Sequence, residues 1–403
     1  MKIAFVTPSW PGDASPNGIT TAVFHVVGGL RARGHDVTVI SKAIEPSKAD
    51  AATVAIPERR SLTPLETLQE RLGFGDPRYA ATVDALVDGV REAVTRRGVE
   101  IVVVEETQGW AGALQRRVDV PVVVALHGPW ALHKALQPTA AAVAGSRRRI
   151  RREAEAIHVC AGVFAPSRDV LERMRAEVGF GDRPAACIPN PIPAGEALDY
   201  RALDPESRRS LLFVGRFDRH KGGDVMLTAF DRLVGMGVDA RLTFVGPDRG
   251  VPGADGRKIS LAEAVSDLPE ATRARIDLRG MLRKSEVEAL RRRHGLCVIA
   301  SRYENLNYTL LEPLAQGVAT IAPAVGGIVE VIRDGENGLL SPPGDAQRLA
   351  EACRRLVEDP ALAARLGAAG HETVRTELSP MIVAERLEAF LAQVVAERRR
   401  RAA

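Results

Sequence analysis

Glu304 and Glu312 stand eight positions apart in the stretch SRYENLNYTLLEPLAQG, with no other charged residue between them. Two carboxylates so placed could accept hydrogen bonds from sugar hydroxyls, or could simply complement the dipole of a helix start at about 0.3 to 1 kcal/mol each. The apolar run LCVIAS precedes them, and Asn307 is a residue suited to cap a helix beginning there. Glu304 is then predicted in a loop, open to hydroxyl groups, and Glu312 just over a turn into the helix, within reach of a vicinal diol. Upstream, VGRFDRHKGGDV sets Arg216 and Lys221 in a glycine-rich loop behind the run LLFVGRF. Backbone amides, two cations and a helix start suit an anion such as a diphosphate, although a solvated turn has the same composition. Neither GxxxxGK[ST] nor GxGxxG is present, so this is not a Walker loop or a dinucleotide turn.

These residues need a frame, and the alternation of apolar runs with amphipathic stretches supplies one. KIAFVT, DVTVIS, TVAI, EIVVVE, VPVVVALHG, GVFAPS and AACIPN read as strands separated by helices. After PNPIPAGEALDYRALDPESRRS the pattern restarts with LLFVGRF, ARLTFVG, ARIDLRG, LCVIAS, VATIAP and NGLLSPP. Strands alternating with helices mean βαβ units and parallel sheets, so the chain is α/β with a domain over residues 1–195 and a second over 206–379. The amphipathic helix predicted over residues 380–403 can extend the second domain or pack back onto the first; periodicity leaves both open. In open parallel sheets ligands sit beyond the carboxyl ends of the strands. All three tryptophans, Trp10, Trp110 and Trp130, fall close behind strand ends of the first domain, with Glu105, Glu106 and Gln108 nearby. They are candidates to stack on an acceptor or to pack beneath loops.

The 403 residues carry 45% hydrophobic and 26% charged residues and a net charge of +4, ordinary for a globular protein of two domains. No run of 18 apolar residues is present, which excludes a predicted spanning helix. MKIAFVTPSW lacks the longer apolar stretch and small-residue cleavage site of a secretory signal, so a cytoplasmic location is expected. The four cysteines show no C-x-x-C pair and point to neither zinc nor disulfides. Arginines cluster in SRRRIRR (Arg147 to Arg152) and in the tail ERRRRAA. Without interleaved aromatics they do not suggest nucleic acid; a solvated helix face, or peripheral contact with an anionic membrane at its inner face, fits them. In RRSLTPLETLQERLGFGDPR, Thr63, Pro64 and Glu66 make a helix start with Leu65, Leu68 and Leu72 on one side, among Arg59, Arg60, Arg71 and Arg78.

VGRFDRHKG, SRYENLNYTLLEPLAQG and VGGIVEVIRDGENGLLSPPGD occur in this order, and together they resemble the retaining GT-B glycosyltransferases of the family 4 type, glycosyl transferases group 1. PSWPGDASPNGITTAVFHVVGGLRARGHDVTVIS is similar to that family's opening, so the resemblance spans nearly the whole chain and is strongest from Leu211 to Asp345. It implies two Rossmann-like domains facing each other across a cleft, the first binding an acceptor and the second a nucleotide sugar. The implied reaction moves a sugar from a nucleoside diphosphate to an acceptor hydroxyl with retention, in glycan, glycolipid or glycoside biosynthesis. By position, Arg216 and Lys221 bind the diphosphate, Glu304 the donor-sugar hydroxyls and Glu312 the ribose diol. Gly18 and Gly215 border the donor, Asn305, Leu306 and Asn307 approach it with backbone amides, and Gly280 and Met281 lie along the base. His127, at the end of VVVALHG, matches the family's N-domain histidine near the reacting sugar. The resemblance implies no cofactor and no metal beyond the donor itself, the cations neutralising the leaving group. A sugar phosphorylase, a sucrose-synthase-like catalyst or a silent sugar-binding subunit shares the scaffold. The chain departs from the family at Asn17-Gly18, where Gly-Gly is usual, and at Asn307, where glycine is usual. It departs again at Pro313, which cannot donate to the carbonyl of Thr309.

Overall fold

A computed structural model describes residues 1–10, 17–44, 50, 52–56, 62–71, 75–133, 140–253 and 255–402. Arg59, Arg60, Leu72 and most of the loop after Trp10 lie outside the described residues. The chain forms two compact units: Met1–Pro191 with Pro380–Ala403, and Ile192–Ser379. The helix left open by periodicity therefore belongs to the first unit.

The first unit is built on seven strands, β1 (Lys2–Trp10), β2 (Asp36–Ile44), β3 (Thr53–Ala55), β4 (Ile101–Glu105), β5 (Val122–Ala125), β6 (Gly162–Ala165) and β7 (Ala185–Cys187). They form one parallel sheet in the order β3-β2-β1-β4-β5-β6-β7, with Val6 opposite Ile40 on one side and Val104 on the other. The valine-rich central strands are buried on both faces, as a doubly covered parallel sheet requires. Helices Pro77–Arg97, Trp110–Gln115 and Ala140–Val159 cover one face. Helix Gly18–Ala32 and the carboxyl-terminal helix Pro380–Ala402 cover the other, burying Ile3, Phe5 and Val103 against Val383, Leu387 and Leu391. Gly29 permits this second layer: a Cβ there would stand 2.2 Å from the carbonyl oxygen of Pro380.

The second unit has strands β8 (Ser210–Val214), β9 (Arg241–Val245), the short antiparallel pair β10 (Val251–Pro252) and β11 (Lys258–Ile259), then β12 (Ile276–Gly280), β13 (Leu296–Val298), β14 (Ala319–Pro323) and β15 (Leu339–Ser341). Its parallel sheet runs β12-β9-β8-β13-β14-β15. In each sheet the strand order reverses direction once, between β1 and β4 in the first and between β8 and β13 in the second. Loops leaving the carboxyl ends of those neighbouring strands diverge to opposite faces and open a crevice, the usual ligand position in such sheets.

Candidate active site

At the reversal point of the second sheet, the loop 215–222 behind β8 meets the loop 299–307 behind β13. They are stitched by hydrogen bonds that no local sequence pattern announces. The amide of Arg302 donates to the carbonyl of His220 (2.9 Å), and the His220 ring bonds the carbonyl of Tyr303 (2.8 Å). The Arg302 guanidinium grips both carboxylate oxygens of Asp224 at 2.9 and 2.7 Å, in the first turn of helix Gly223–Gly235, and donates to the carbonyl of Arg219. Glycines allow the approach. Gly222 (φ +69°) lies where a Cβ would be 1.9 Å from the carbonyl oxygen of Ala300, and Gly326 (φ +49°) where it would be 1.8 Å from that of Glu304.

Into this frame Lys221 extends its ammonium to Glu304, Nζ to Oε1 at 2.5 Å. Glu304 is only 6% exposed. Burial alone would push its carboxyl up, but the Lys221 charge, then His220 and the Ser301 hydroxyl, hold it below the usual range. Glu304 lies in the loop behind β13, as its sequence position predicts, and there it is a buried partner of the lysine. Asp218 accepts from the Lys221 amide (2.7 Å) and from Arg216 Nε (2.6 Å). Its burial, which raises a carboxyl, is outweighed by these two donors, and its pKa is lowered. Arg216 is aimed by Asp218 while remaining partly exposed, and Gly215 is pinned by its amide to the carbonyl of Val245 (2.9 Å).

Glu312 is paired as well. It lies on helix Tyr308–Ala315 and binds the guanidinium of Arg291, a buried arginine at the end of helix Lys284–Arg291. Asn307 occupies the cap position of the helix, but its side chain makes no capping bond, and its amide nitrogen and oxygen are buried without a hydrogen-bond partner among the described residues. The predicted cap is therefore positional only. Pro313 does not break that helix, which continues to Ala315. Leu306 is buried, Asn305 half-buried, and Met281, behind Gly280 (φ +61°) at the end of β12, is 76% exposed.

In the first unit the carboxyl ends of β4 and β5 carry Glu105, Glu106 and His127. Glu106 is buried and accepts from the amides of His127 and Gly128, each at 2.9 Å. Glu105 is equally buried, with Oε2 3.1 Å from His127 Nε2. Behind them Glu153, absent from the sequence candidates, accepts from the amide of Trp130 (2.8 Å) and from Arg149 Nε (2.5 Å). That guanidinium lies 4.4 Å from the centre of the Trp130 ring, and Lys42 stands 4.5 Å from that of Trp110. Trp10 is a correction: it is the last residue of β1, 5% exposed and packed against Phe24, so it offers no stacking face. Gly18 opens helix Gly18–Ala32, whose cap is the Asn17 side chain accepting from the Ile19 amide (3.0 Å).

The arginine run is split: Arg147, Arg148 and Arg151 are exposed, while Arg149 and Arg152 are half-buried. Arg152 pairs with Asp76 (2.9 Å) and covers the Tyr79 ring, Arg149 holds Glu153, and Arg148 donates to the carbonyl of Gly75 (3.2 Å). On helix Pro64–Arg71, Leu65 and Leu68 are exposed.

Residues 199–373 match the family described as glycosyl transferases group 1, and residues 16–196 match glycosyltransferase family 4. The chain belongs to the group 1 glycosyltransferases of the family 4 type. This glycosyltransferase is 26% identical over 412 residues to a glycogen synthase of Mycobacterium tuberculosis, covering 95% of this chain and 92% of that one. Among solved structures it resembles the sucrose-phosphate synthase of Thermosynechococcus elongatus, with a TM-score of 0.73, 23% identity and coverage of 98% and 99%. It also resembles Anabaena HepE in complex with UDP-glucose, with a TM-score of 0.67, 16% identity and coverage of 98% and 100%. These likenesses and the two parallel sheets establish the GT-B fold.

The acidic cluster of this glycosyltransferase should be visible in its pH dependence. Burial, and then the nearby Glu153, push the Glu106 carboxyl up to about 7 against its amide donors, and burial holds His127 down to about 4. A carboxyl that keeps its proton after the unfolded chain has lost it stabilises fully below about 4.5 and loses that contribution as pH rises through 7. His127 has the opposite sense, because the unfolded chain binds the extra proton between about 4 and 6.5, so stability rises with pH there. The opposed slopes partly cancel until His127 has titrated, and the buried carboxyls then dominate, Glu105 acting in the same sense as Glu106 because burial, and then the Glu106 charge, push it well above the usual range. Urea denaturation is expected to show stability falling as pH rises from about 6.5 through 7, by well under the ~1.4 kcal/mol per pH unit of a fully protonated group because Glu106 is by then losing its proton, and Glu106→Gln to flatten that decline. The same slope in the variant would remove Glu106 as its source.

Proposed function

We propose that the protein is a retaining glycosyltransferase that uses a nucleoside-diphosphate sugar and an acceptor hydroxyl. The observation that carries this reading is the cationic pair behind β8, Lys221 held by Glu304 and Arg216 aimed by Asp218, in a glycine-lined crevice at the strand reversal. Departure of a nucleoside diphosphate places two to three negative charges where these cations are fixed in advance, and such preorganised charge is the largest lever on a leaving-group barrier. The side chains need little reorganisation, because a buried carboxylate already positions each base-of-loop contact. Glu304, close to neutralised by Lys221, is placed to accept a sugar hydroxyl with its remaining lone pairs.

His127 in the first unit, kept neutral by burial, suits a polar contact to an uncharged sugar better than a second cation would. On this reading the leaving phosphate takes the acceptor proton on the face it departs from, and no dedicated side-chain base is assigned. The UDP-glucose in the HepE structure, and relatives named glycogen synthase and alpha-maltose-1-phosphate synthase, support a nucleotide donor and a sugar acceptor. The deciding experiment is a thermal-shift and hydrolysis screen over UDP-, GDP- and ADP-sugars. One of them is expected to stabilise the protein and to be consumed with formation of an α-linked product. Consumption of a disaccharide by inorganic phosphate, with no nucleotide sugar bound, would replace this reading with phosphorolysis.

A further inference from the structure

A cavity of 300 Å³ opens in the first unit at the edge where β5 and β6 begin, opposite the edge that carries Glu105 and His127. Arg183, Arg398 and Arg401 line it with Gln115, Cys160 and Glu397. Gln115 is immobilised, donating to the carbonyl of Val120 (3.2 Å) and accepting from the amide of Val122 (2.8 Å). The three guanidiniums are held only by neutral groups. Arg183 donates to the carbonyls of Cys160 (3.1 Å) and Phe180 (3.2 Å), Arg398 to that of Asp119 (2.8 Å) and Arg401 to that of Asp182 (3.4 Å). Adjacent arginines behave otherwise, since Arg399 meets Glu100 at 3.7 Å and Arg116 meets Glu155 at 3.8 Å. Among the described residues none of the three has a carboxylate partner, and the one lining acid, Glu397, accepts from Gln393.

Each guanidinium has five donors in a planar fork, and the carbonyl contacts fix its direction while leaving most of those donors and the full charge unspent. Arg398 and Arg401, three residues apart, share one helix face and line the cavity together with Arg183. Capping of carbonyls explains one or two bonds each; it does not explain three guanidiniums lining a space large enough for a small solute with a single carboxylate, Glu397, among them. Three planar forks around one cavity suit the oxygens of a phosphate dianion.

We propose that this cavity binds the phosphate of a small soluble phosphomonoester, at a site separate from the crevice behind β8. Inorganic phosphate and glycerol phosphate are the probes, read by thermal shift and by phosphorus NMR line width, with sodium chloride at matched ionic strength as reference. Saturable stabilisation beyond the chloride effect is expected in the wild-type protein and in Lys221→Ala, with affinity at least tenfold weaker in Arg398→Gln/Arg401→Gln. Should the double variant fail to fold, Arg401→Gln alone, at the exposed helix end, is expected to weaken binding at least threefold. No saturable effect, an effect lost in Lys221→Ala but kept in the arginine variants, or binding to phosphatidic acid vesicles without binding to soluble phosphate would each overturn the proposal. Because Lys221 lies outside this cavity, failure here leaves the donor reading untouched.

Discussion

Lys221→Ala is expected to lower kcat/KM for the nucleotide sugar by about 10² to 10³, the usual loss when one preorganised charge is removed from a developing anion. The variant also removes the partner of a nearly buried carboxylate, and breaking a buried pair from one side costs about 3 to 5 kcal/mol. The partial exposure of the Lys221 side chain places the loss at the lower end of that range. Activity and stability can be separated. Lys221→Met combined with Glu304→Gln leaves no charge stranded, so urea denaturation should recover most of the stability while steady-state kinetics stay depressed. Recovery of activity in that double variant would mean that the lysine serves Glu304 and not the diphosphate.

Gly326→Ala is expected to have a comparable effect on catalysis through geometry alone. A left-handed residue with a Cβ costs about 1 to 2 kcal/mol, and here the new carbon would also sit 1.8 Å from the carbonyl oxygen of Glu304. Restoring an ordinary carbon–oxygen separation requires the loop to move by about 1.5 Å, carrying Glu304 and its contact with Lys221. A misplacement of that order costs about 10²-fold in rate. Gly335 provides the control: its φ is +74° and no atom lies within 4 Å of an added Cβ, so Gly335→Ala carries the backbone strain without the collision. Equal kcat/KM losses in the two variants would show that strain, and not the contact with Glu304, is responsible.

The strands, their parallel arrangement and the loops that carry the chemistry were legible in the sequence, because buried parallel strands are short β-branched runs and their periodicity contrasts with the helices between them. The pair of Arg216 and Lys221 behind β8 and the loop behind β13 follow from that reading once strand order brings them side by side. What was not legible were the partners. Arg291 lies 21 residues before Glu312, and a helical arginine is ordinarily solvated; only packing beneath Glu312 makes it an ion-pair partner. Glu153 sits within an arginine-rich helix and reads as one charge among many, yet it anchors the Trp130 amide. Asn307 shows the converse: its residue type and position predict a cap, while the side chain is drawn into the protein and leaves the helix amides alone. Side-chain direction and tertiary pairing are set by contacts far apart in the chain, and spacing rules do not reach them.

The carboxyl-terminal helix Pro380–Ala402 also bears on biosynthesis. Domains generally fold as they emerge from the ribosome, amino-terminal first. Here residues 192–379 form a complete unit while one face of the preceding sheet still lacks one of its two covering helices. The surface formed by Ile3, Phe5, Val103 and Val123 is covered in part by Val23, Val26, Val27 and Leu30 of helix Gly18–Ala32, and its closure is completed by Val383, Leu387, Leu391 and Val394. During translation the part of that apolar face that meets the last helix stays uncovered throughout synthesis of the second unit, and the nascent chain carries it as exposed apolar surface of the kind that chaperones bind.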